Sequence, residues 1–263
     1  IMSILFVIMG IGPLIRWKKA KKGELRKQIS KPSIISLVLG VLFPYFYAGE
    51  FNLMASFGMV LALWVTLVVI KDLRNQAKNK AGSYQFGRIT LSQWGMTIAH
   101  MGIAVTIVGV TIVSIYEKEV SVKLFPNESY HVSGYDVTFK GIKPVKGPNY
   151  HAEQGQLEVH KDGDFVALLK PERRTYLVQT MGMTEAGIDP GLFRDLYVAL
   201  GEPLEQGAWA VRVQNKPFVR WLWLGGLFMT FGGLLAATDP RYRRKRKAAK
   251  AAENMAGPAE AVA

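Results

Sequence analysis

Five apolar blocks constrain the fold of this 263-residue chain more than any other feature. They run from Met2 to Ile15, Ser33 to Tyr47, Phe51 to Ile70, Leu91 to Tyr116 and Phe218 to Thr238. A hydrocarbon layer about 30 Å thick needs about 20 apolar residues in each helix that crosses it. The blocks therefore predict a polytopic α-helical membrane protein.

The first block is shorter than a full membrane span. We interpret it as the tail of a helix cut by a truncation or by a gene break. A signal peptide does not fit, because the charged residues follow the apolar run instead of preceding it, and no small-residue cleavage site follows.

The formal charge of +13 reflects the orientation of the chain in the membrane. Three short segments, Arg16 to Lys31, Lys71 to Arg88 and Arg241 to Lys250, hold 20 of the 33 Lys and Arg residues. The positive-inside rule assigns them to the cytoplasm, and all crossings then alternate consistently. No basic recognition motif accompanies the charge, so we expect no nucleic-acid partner.

This orientation gives four predicted regions. They are four transmembrane helices with basic cytoplasmic loops over 1–115, the first of them truncated, an extracytoplasmic β domain over 116–217, a last transmembrane helix over 218–238, and a basic, disordered cytoplasmic tail over 239–263.

Alternating apolar residues indicate strands in the region 116–217, as in Val120, Val122 and Leu124. Asp162-Gly163 supplies the positive φ angles that a tight hairpin needs. We expect an inserted all-β extracytoplasmic domain, a small sandwich or an open barrel. A passive lid over the membrane part is the simplest role for it.

His100 is the residue most suggestive of chemistry, because it lies inside the fourth apolar block. A histidine at membrane depth is costly unless it has a partner, and neutral imidazole is a common axial ligand of haem iron. Beside it, small residues recur along one helix seam that lets a helix or a flat ligand approach closely: Gly95, Ala99, Gly102, Thr106 and Gly109. Spacing alone leaves two alternatives open, an axial ligand and a structural hydrogen bond to another helix.

The other three histidines, His131, His151 and His160, lie in the β region without a metal-binding spacing. We interpret them as ordinary strand or surface residues. His151 stays open, because a turn-rich stretch precedes it.

Arginines at two places in the chain can be interpreted either as interfacial or solvated residues or as residues that contact an anionic group. Arg220, beside Trp221 and Trp223, is typical of anchoring at a membrane interface, and a contact with a haem propionate is the alternative. Arg173 and Arg174 are expected to be solvated, with an anionic partner as the alternative.

Several motifs in order resemble the carboxy-terminal part of the CcmF/NrfE haem-lyase family over nearly the whole chain. They are Trp94 to Gly102, Gly147 to Tyr150, Pro171 to Tyr176, Met183 to Ala186, Asp195 to Gly201 and Asp239 to Arg243. The resemblance implies a role in cytochrome c maturation in a bacterial inner membrane, with the β domain over 116–217 in the periplasm. Haem carried by the chaperone CcmE would be attached to the Cys-x-x-Cys-His site of apocytochrome c outside the membrane. It also implies a membrane haem b between two transmembrane histidines, and His100 matches the second of these axial ligands.

The resemblance has limits. The tryptophan-rich segment, the two external histidines and the first transmembrane ligand of the family belong to a region before Ile1. We therefore expect this part alone to be inactive and to work with the rest of a CcmF protein, CcmH/CcmI-type subunits, haem-loaded CcmE, apocytochrome c and membrane lipid. The alternative is a non-enzymatic scaffold that docks partners through its β domain. A haem transporter lacks support, because no span carries paired charges or a broken helix.

Overall fold

The computed structural model describes residues 2–14, 23–79, 81–178 and 182–241. Five α-helices occur in these ranges: α1 (Met2–Ile11), α2 (Glu24–Ala48), α3 (Leu53–Ala77), α4 (Leu91–Tyr116) and α5 (Val219–Ala237). By length and composition, α2 from Leu25, α3, α4 and α5 can cross a membrane, and α1 is a shorter apolar helix. The described residues up to Val108 and from Leu222 form one compact unit, and Gly109–Trp221 form a second.

Two helices extend beyond their predicted spans. Helix α2 begins at Glu24, not at Ser33, and α3 continues past Ile70 to Ala77. The predicted boundaries followed hydropathy, whereas Lys, Arg, Glu and Gln also favour helix and continue its hydrogen bonding out of the apolar region. Ile15 and the basic residues 16–22 lie outside the described residues, as does the predicted tail from 242 onward.

Helix α3 lies at the centre of the first unit. Its Val65 and Val68 are fully buried in a cluster with Leu14 and with Ala104 of α4. The indole of Trp64 donates a hydrogen bond to the carbonyl of Val7 in α1, with 3.3 Å between the two atoms. These contacts attach α1 and α4 to the same central helix.

Ten strands form the second unit: β1 (Lys118–Leu124), β2 (Glu128–Val132), β3 (Tyr135–Lys146), β4 (Tyr150–Lys161), β5 (Asp164–Leu169), β6 (Glu172–Tyr176), β7 (Gly182–Glu185), β8 (Gly187–Pro190), β9 (Arg194–Pro203) and β10 (Trp209–Pro217). One sheet has the order β1-β10-β9-β8. The other has the order β2-β3-β4-β6-β7, with β5 also paired to β4.

A shared apolar core joins the two sheets into a sandwich. Fully buried side chains come from both of them, including Phe139 and Leu157 from one sheet and Leu200 and Val211 from the other. The predicted fold class, a polytopic helical membrane protein with an inserted all-β domain, is confirmed, and of the two predicted β architectures the sandwich is the one that forms.

The hairpin between β4 and β5 confirms the prediction made from Asp162-Gly163. Lys161 pairs with Asp164, and the two residues between them have φ angles of 52° and 89°. An aspartate tolerates this left-handed region better than most residues, and glycine adopts it freely.

Candidate functional site

His100 lies in the middle of α4 and is half-buried. Its Nδ1 is 2.8 Å from the carbonyl oxygen of Met96, one helical turn earlier. A carbonyl oxygen only accepts hydrogen bonds, so Nδ1 must carry the proton and donate. In the neutral ring, Nε2 then keeps its lone pair.

No hydrogen-bond partner of Nε2 occurs among the residues that the structure describes. The hydroxyl of Thr97, three residues earlier and buried, also has none within that part of the chain. A histidine that binds a metal typically donates its other ring N–H to a carbonyl or carboxylate, which fixes the tautomer and the ring orientation. The donor arrangement at His100 fits an axial ligand.

The small-residue seam beside His100 packs against α5, which has two glycines with the same seven-residue separation. A Cβ added at Gly102 would lie 2.6 Å from the Gly225 carbonyl oxygen, and one added at Gly232 would lie 2.5 Å from the Gly95 carbonyl oxygen. Such distances exclude any side chain, so the two backbones are in direct contact. This contact holds the part of α4 that carries His100.

A polar cluster fixes the first turn of α4. Thr90 and Gln93 form a capping box: the Thr90 amide donates to Gln93 Oε1 at 2.9 Å, and the Gln93 amide donates to the Thr90 hydroxyl at 3.3 Å. The buried carboxylate of Asp239, just after α5, accepts from the Ser92 amide at 2.9 Å. Asp239 falls in the predicted tail, because nothing local in sequence links it to α4, whereas the Thr90-x-x-Gln93 spacing is a sequence signal for the cap.

Arg241 completes this cluster. Its guanidinium donates to Asp239 and, at 2.6 Å, to the Thr90 hydroxyl. The hydrogen bonds from Arg241, followed by the one from the Ser92 amide, hold the pKa of the Asp239 carboxyl well below its usual range. The carboxylate is therefore ionised at the helix N-terminus, where negative charge is favourable.

The three histidines of the second unit do not form one group: His131 and His160 both lie opposite Asp136 on neighbouring strands, whereas His151 lies nine residues from His160 along β4. His131 Nδ1 is 2.7 Å from the Asp136 carboxylate, and the His160 ring packs edge-on against Phe165. His151 is exposed on β4, opposite Lys146 and Thr175, beside a surface cavity of about 330 Å³. Within the described ranges, no group of three or more His, Asp or Glu residues could hold a metal.

The expectation that Arg173 and Arg174 are merely solvated is wrong. Arg174 donates to Glu172 at 2.8 Å and to Glu185 on β7 at 3.1 Å, and Arg173 lies 3.6 Å from Glu153. The hydrogen bond from Arg174 lowers the pKa of the buried Glu172. Cross-strand register brings these partners together, which local sequence does not reveal.

Arg220 pairs with the buried Asp195 of β9 at 3.3 Å, and Trp221 donates its indole N–H to the Leu192 carbonyl at 3.1 Å. The charge of Arg220 is therefore directed at a carboxylate of its own chain. This contact was missed, because 25 residues separate the partners in sequence.

The chain is similar in sequence to proteins of one known family. A family model described as the CcmF C-terminal beta-sandwich matches residues 115–217. The cytochrome c-type biogenesis protein CcmF of Pseudomonas fluorescens is 45% identical over 247 residues, or 94% of this chain. Its counterpart in Escherichia coli strain K12 is 39% identical over 239 residues, or 91% of the chain. The chain belongs to the CcmF family.

The match concerns one part of those proteins. The chain spans 37% of the length of the Pseudomonas fluorescens relative and 36% of the Escherichia coli one. The cytochrome c-type biogenesis protein NrfE of Haemophilus influenzae is 33% identical over 199 residues, 76% of this chain and 29% of that protein.

A solved structure described as the cytochrome c heme lyase CcmF has the same fold. The TM-score is 0.75 at 20% identity, and the match covers 89% of this chain and 38% of the other. The shared fold, the family and the apolar helices together show a multi-pass membrane protein that corresponds to the carboxy-terminal part of CcmF.

Proposed function

We propose that the chain is the carboxy-terminal portion of a cytochrome c haem lyase, in which His100 is one axial ligand of a membrane haem b. The observation that carries this proposal is the orientation of the imidazole. Its Nδ1 proton is donated to Met96, and Nε2 has no partner among the described residues. The names and identities of the relatives support the link to cytochrome c maturation.

The residues of this chain would hold the haem iron through Nε2 and fix the ring through the Met96 carbonyl. The contact between α4 and α5 would set the rotation of α4 about its axis, because a turn of the helix would separate Gly95 from Gly232. Bound haem would supply one-electron redox chemistry, and the remainder of a CcmF protein would provide the other protein ligand of the iron.

The wider assignment follows from the same proposal. The strand-rich segment 116–217 lies in the periplasm, and the end of the chain lies in the cytoplasm of a bacterial inner membrane. Haem passes from CcmE to apocytochrome c in an outer chamber that the sandwich helps to form, together with CcmH/CcmI-type subunits. The basic segments at 16–31, 71–88 and 241–250 support this orientation, because Lys and Arg are enriched in cytoplasmic loops.

Reduced-minus-oxidised spectra test the ligand. The chain is co-expressed with the amino-terminal portion of a CcmF relative, as wild type and as His100→Ala, with His131→Ala and His160→Ala as matched controls outside the membrane spans. We expect the b-type bands to disappear in His100→Ala alone. Bands of unchanged intensity and position in that variant would refute the assignment.

A scaffold that docks partners through the β domain is the second candidate. It is favoured by the edge strand β7, all four residues of which are exposed, and by the neighbouring exposed side chain of Val178. Normal cytochrome c maturation by His100→Ala, with partner capture lost when β7 is altered, would support the scaffold over the haem-ligand role.

A further inference from the structure

The short loop that precedes β9 exposes two large apolar side chains. Leu192 is 57% and Phe193 58% exposed, although hydrogen bonds to the backbone carbonyls of both residues hold the loop in place. Isolated exposed apolar side chains are common, whereas contiguous ones mark sites of protein or membrane contact, so the question is whether this pair continues into further apolar surface.

Backbone and aromatic contacts tie this loop to the start of α5. The Phe218 amide donates to the Phe193 carbonyl at 3.0 Å, and the Trp221 indole donates to the Leu192 carbonyl at 3.1 Å. The ring centroids of Phe193 and Phe218 are 5.6 Å apart, and those of Phe193 and Trp221 are 6.4 Å apart. The loop and the first turn of α5 therefore form one aromatic cluster.

The polar groups around the loop are satisfied within the second unit. Buried Asp195 accepts from the Gly191 amide at 3.0 Å and from Arg220 at 3.3 Å. Arg194 donates to the Tyr135 hydroxyl at 2.8 Å and also to Asp189. What the loop presents outward is consequently apolar.

We propose that Leu192 and Phe193 insert into the lipid interface of the leaflet at which α5 enters the membrane. The occupant is lipid because the surface is continuous with a membrane span: Trp221 is in the first turn of α5, and the Phe193 ring packs beside it. Side chains that contact an interfacial tryptophan share its depth, where aromatic rings are favoured and apolar side chains leave water. The loop thus adds a lipid contact to the β domain beside the start of α5.

The chain contains no cysteine, so single-cysteine variants carry a spin label at one defined site. Leu192→Cys and Phe193→Cys variants of the 263-residue chain are spin-labelled in phospholipid nanodiscs, and the collision rates of the labels with oxygen and with a water-soluble nickel chelate are compared. Phe165→Cys is the aqueous control, because Phe165 is 62% exposed beside the hairpin tip of the β domain. Leu227→Cys, on an exposed face of α5, is the lipid control.

Labels at 192 and 193 are expected to collide with oxygen in preference to the nickel chelate, with an oxygen-to-nickel ratio several-fold above that at 165 and closer to that at 227. The Leu192 variant keeps the backbone carbonyl that binds Trp221, so the loop geometry is preserved. Ratios at both loop positions equal to that at 165 would overturn the proposal.

Discussion

The α4–α5 contact is closely packed because its residues are small, whereas the core of the β-sandwich is closely packed because large side chains fill it. Between the helices, Gly95 and Gly102 face Gly232 and Gly225, and backbone touches backbone. In the sandwich, the centre is filled by large residues such as Phe139. Lipid tails are as apolar as leucine, so moving a side chain from lipid to a helix interface gains little free energy, and van der Waals contact between closely approaching helices stabilises the pair instead. In a domain surrounded by water, the removal of apolar area from water itself stabilises the fold.

Removing volume should therefore harm the sandwich most. We expect Phe139→Ala to lower the free energy of opening of the sandwich by about 3–5 kcal/mol, because a fully buried ring is lost and a cavity remains. Hydrogen exchange of the β3 and β4 amides in the intact chain measures this. Phe165→Ala, on an exposed site, should stay within about 0.5 kcal/mol of wild type, and equal losses in both variants would contradict a core role for Phe139.

Adding volume should harm the helix pair. Gly232→Leu would force atoms into the Gly95 carbonyl, and we expect a loss of about 1–3 kcal/mol through overpacking. Its matched control is Gly233→Leu, the next residue, whose added Cβ would meet nothing within 4 Å. Unfolding of the helical unit in mixed detergent micelles compares the two, and an equal effect of both would show that the seam is not a close contact.

The cap of α4 should matter less. Thr90→Ala removes the acceptor for the Gln93 amide and for Arg241, and we expect a cost of about 1 kcal/mol, as for other N-caps. Exchange of the first-turn amides of α4 should increase accordingly. Thr238→Ala, which loses a bond to the Leu235 carbonyl within its own helix end, is the control, and a larger effect there would contradict this ranking.

The smallest expected effect is the pH dependence of the β6–β7 pair. Arg174 lowers the pKa of Glu172 in the folded state, so the stabilisation is complete above the ordinary value of 4.5 and is lost as pH falls through the lower folded value. Hydrogen exchange at β6 and β7, corrected for its intrinsic pH dependence, should show this loss. The acid-dependent loss should be absent in Glu172→Gln. If the loss persists in this variant, a group other than Glu172 causes it.

Local patterns predicted much of the fold. The apolar blocks located the membrane helices, and Asp162-Gly163 located a hairpin, because each depends on residues adjacent in sequence. The small-residue steps from Gly95 indicated a seam, but its partner on α5 lies more than a hundred residues away. A single sequence shows no such pairing.

The candidate site was predictable only in part. An intramembrane histidine was visible, but its tautomer depends on the distance from Nδ1 to Met96. The ion pairs of Arg174 and Arg220 depend on strand register and chain return, so these arginines were read as solvated or lipid-facing groups. Ion pairs between strands can be predicted only when the order and the register of the strands are known.

The most direct test of the central claim is imidazole rescue of a His100→Gly variant, co-expressed with the amino-terminal portion of a CcmF relative. If His100 Nε2 is an axial ligand, the variant should lose the b-type bands, and added imidazole should restore them in the reduced-minus-oxidised spectrum. Bands in His100→Gly that match wild type without imidazole would contradict the claim.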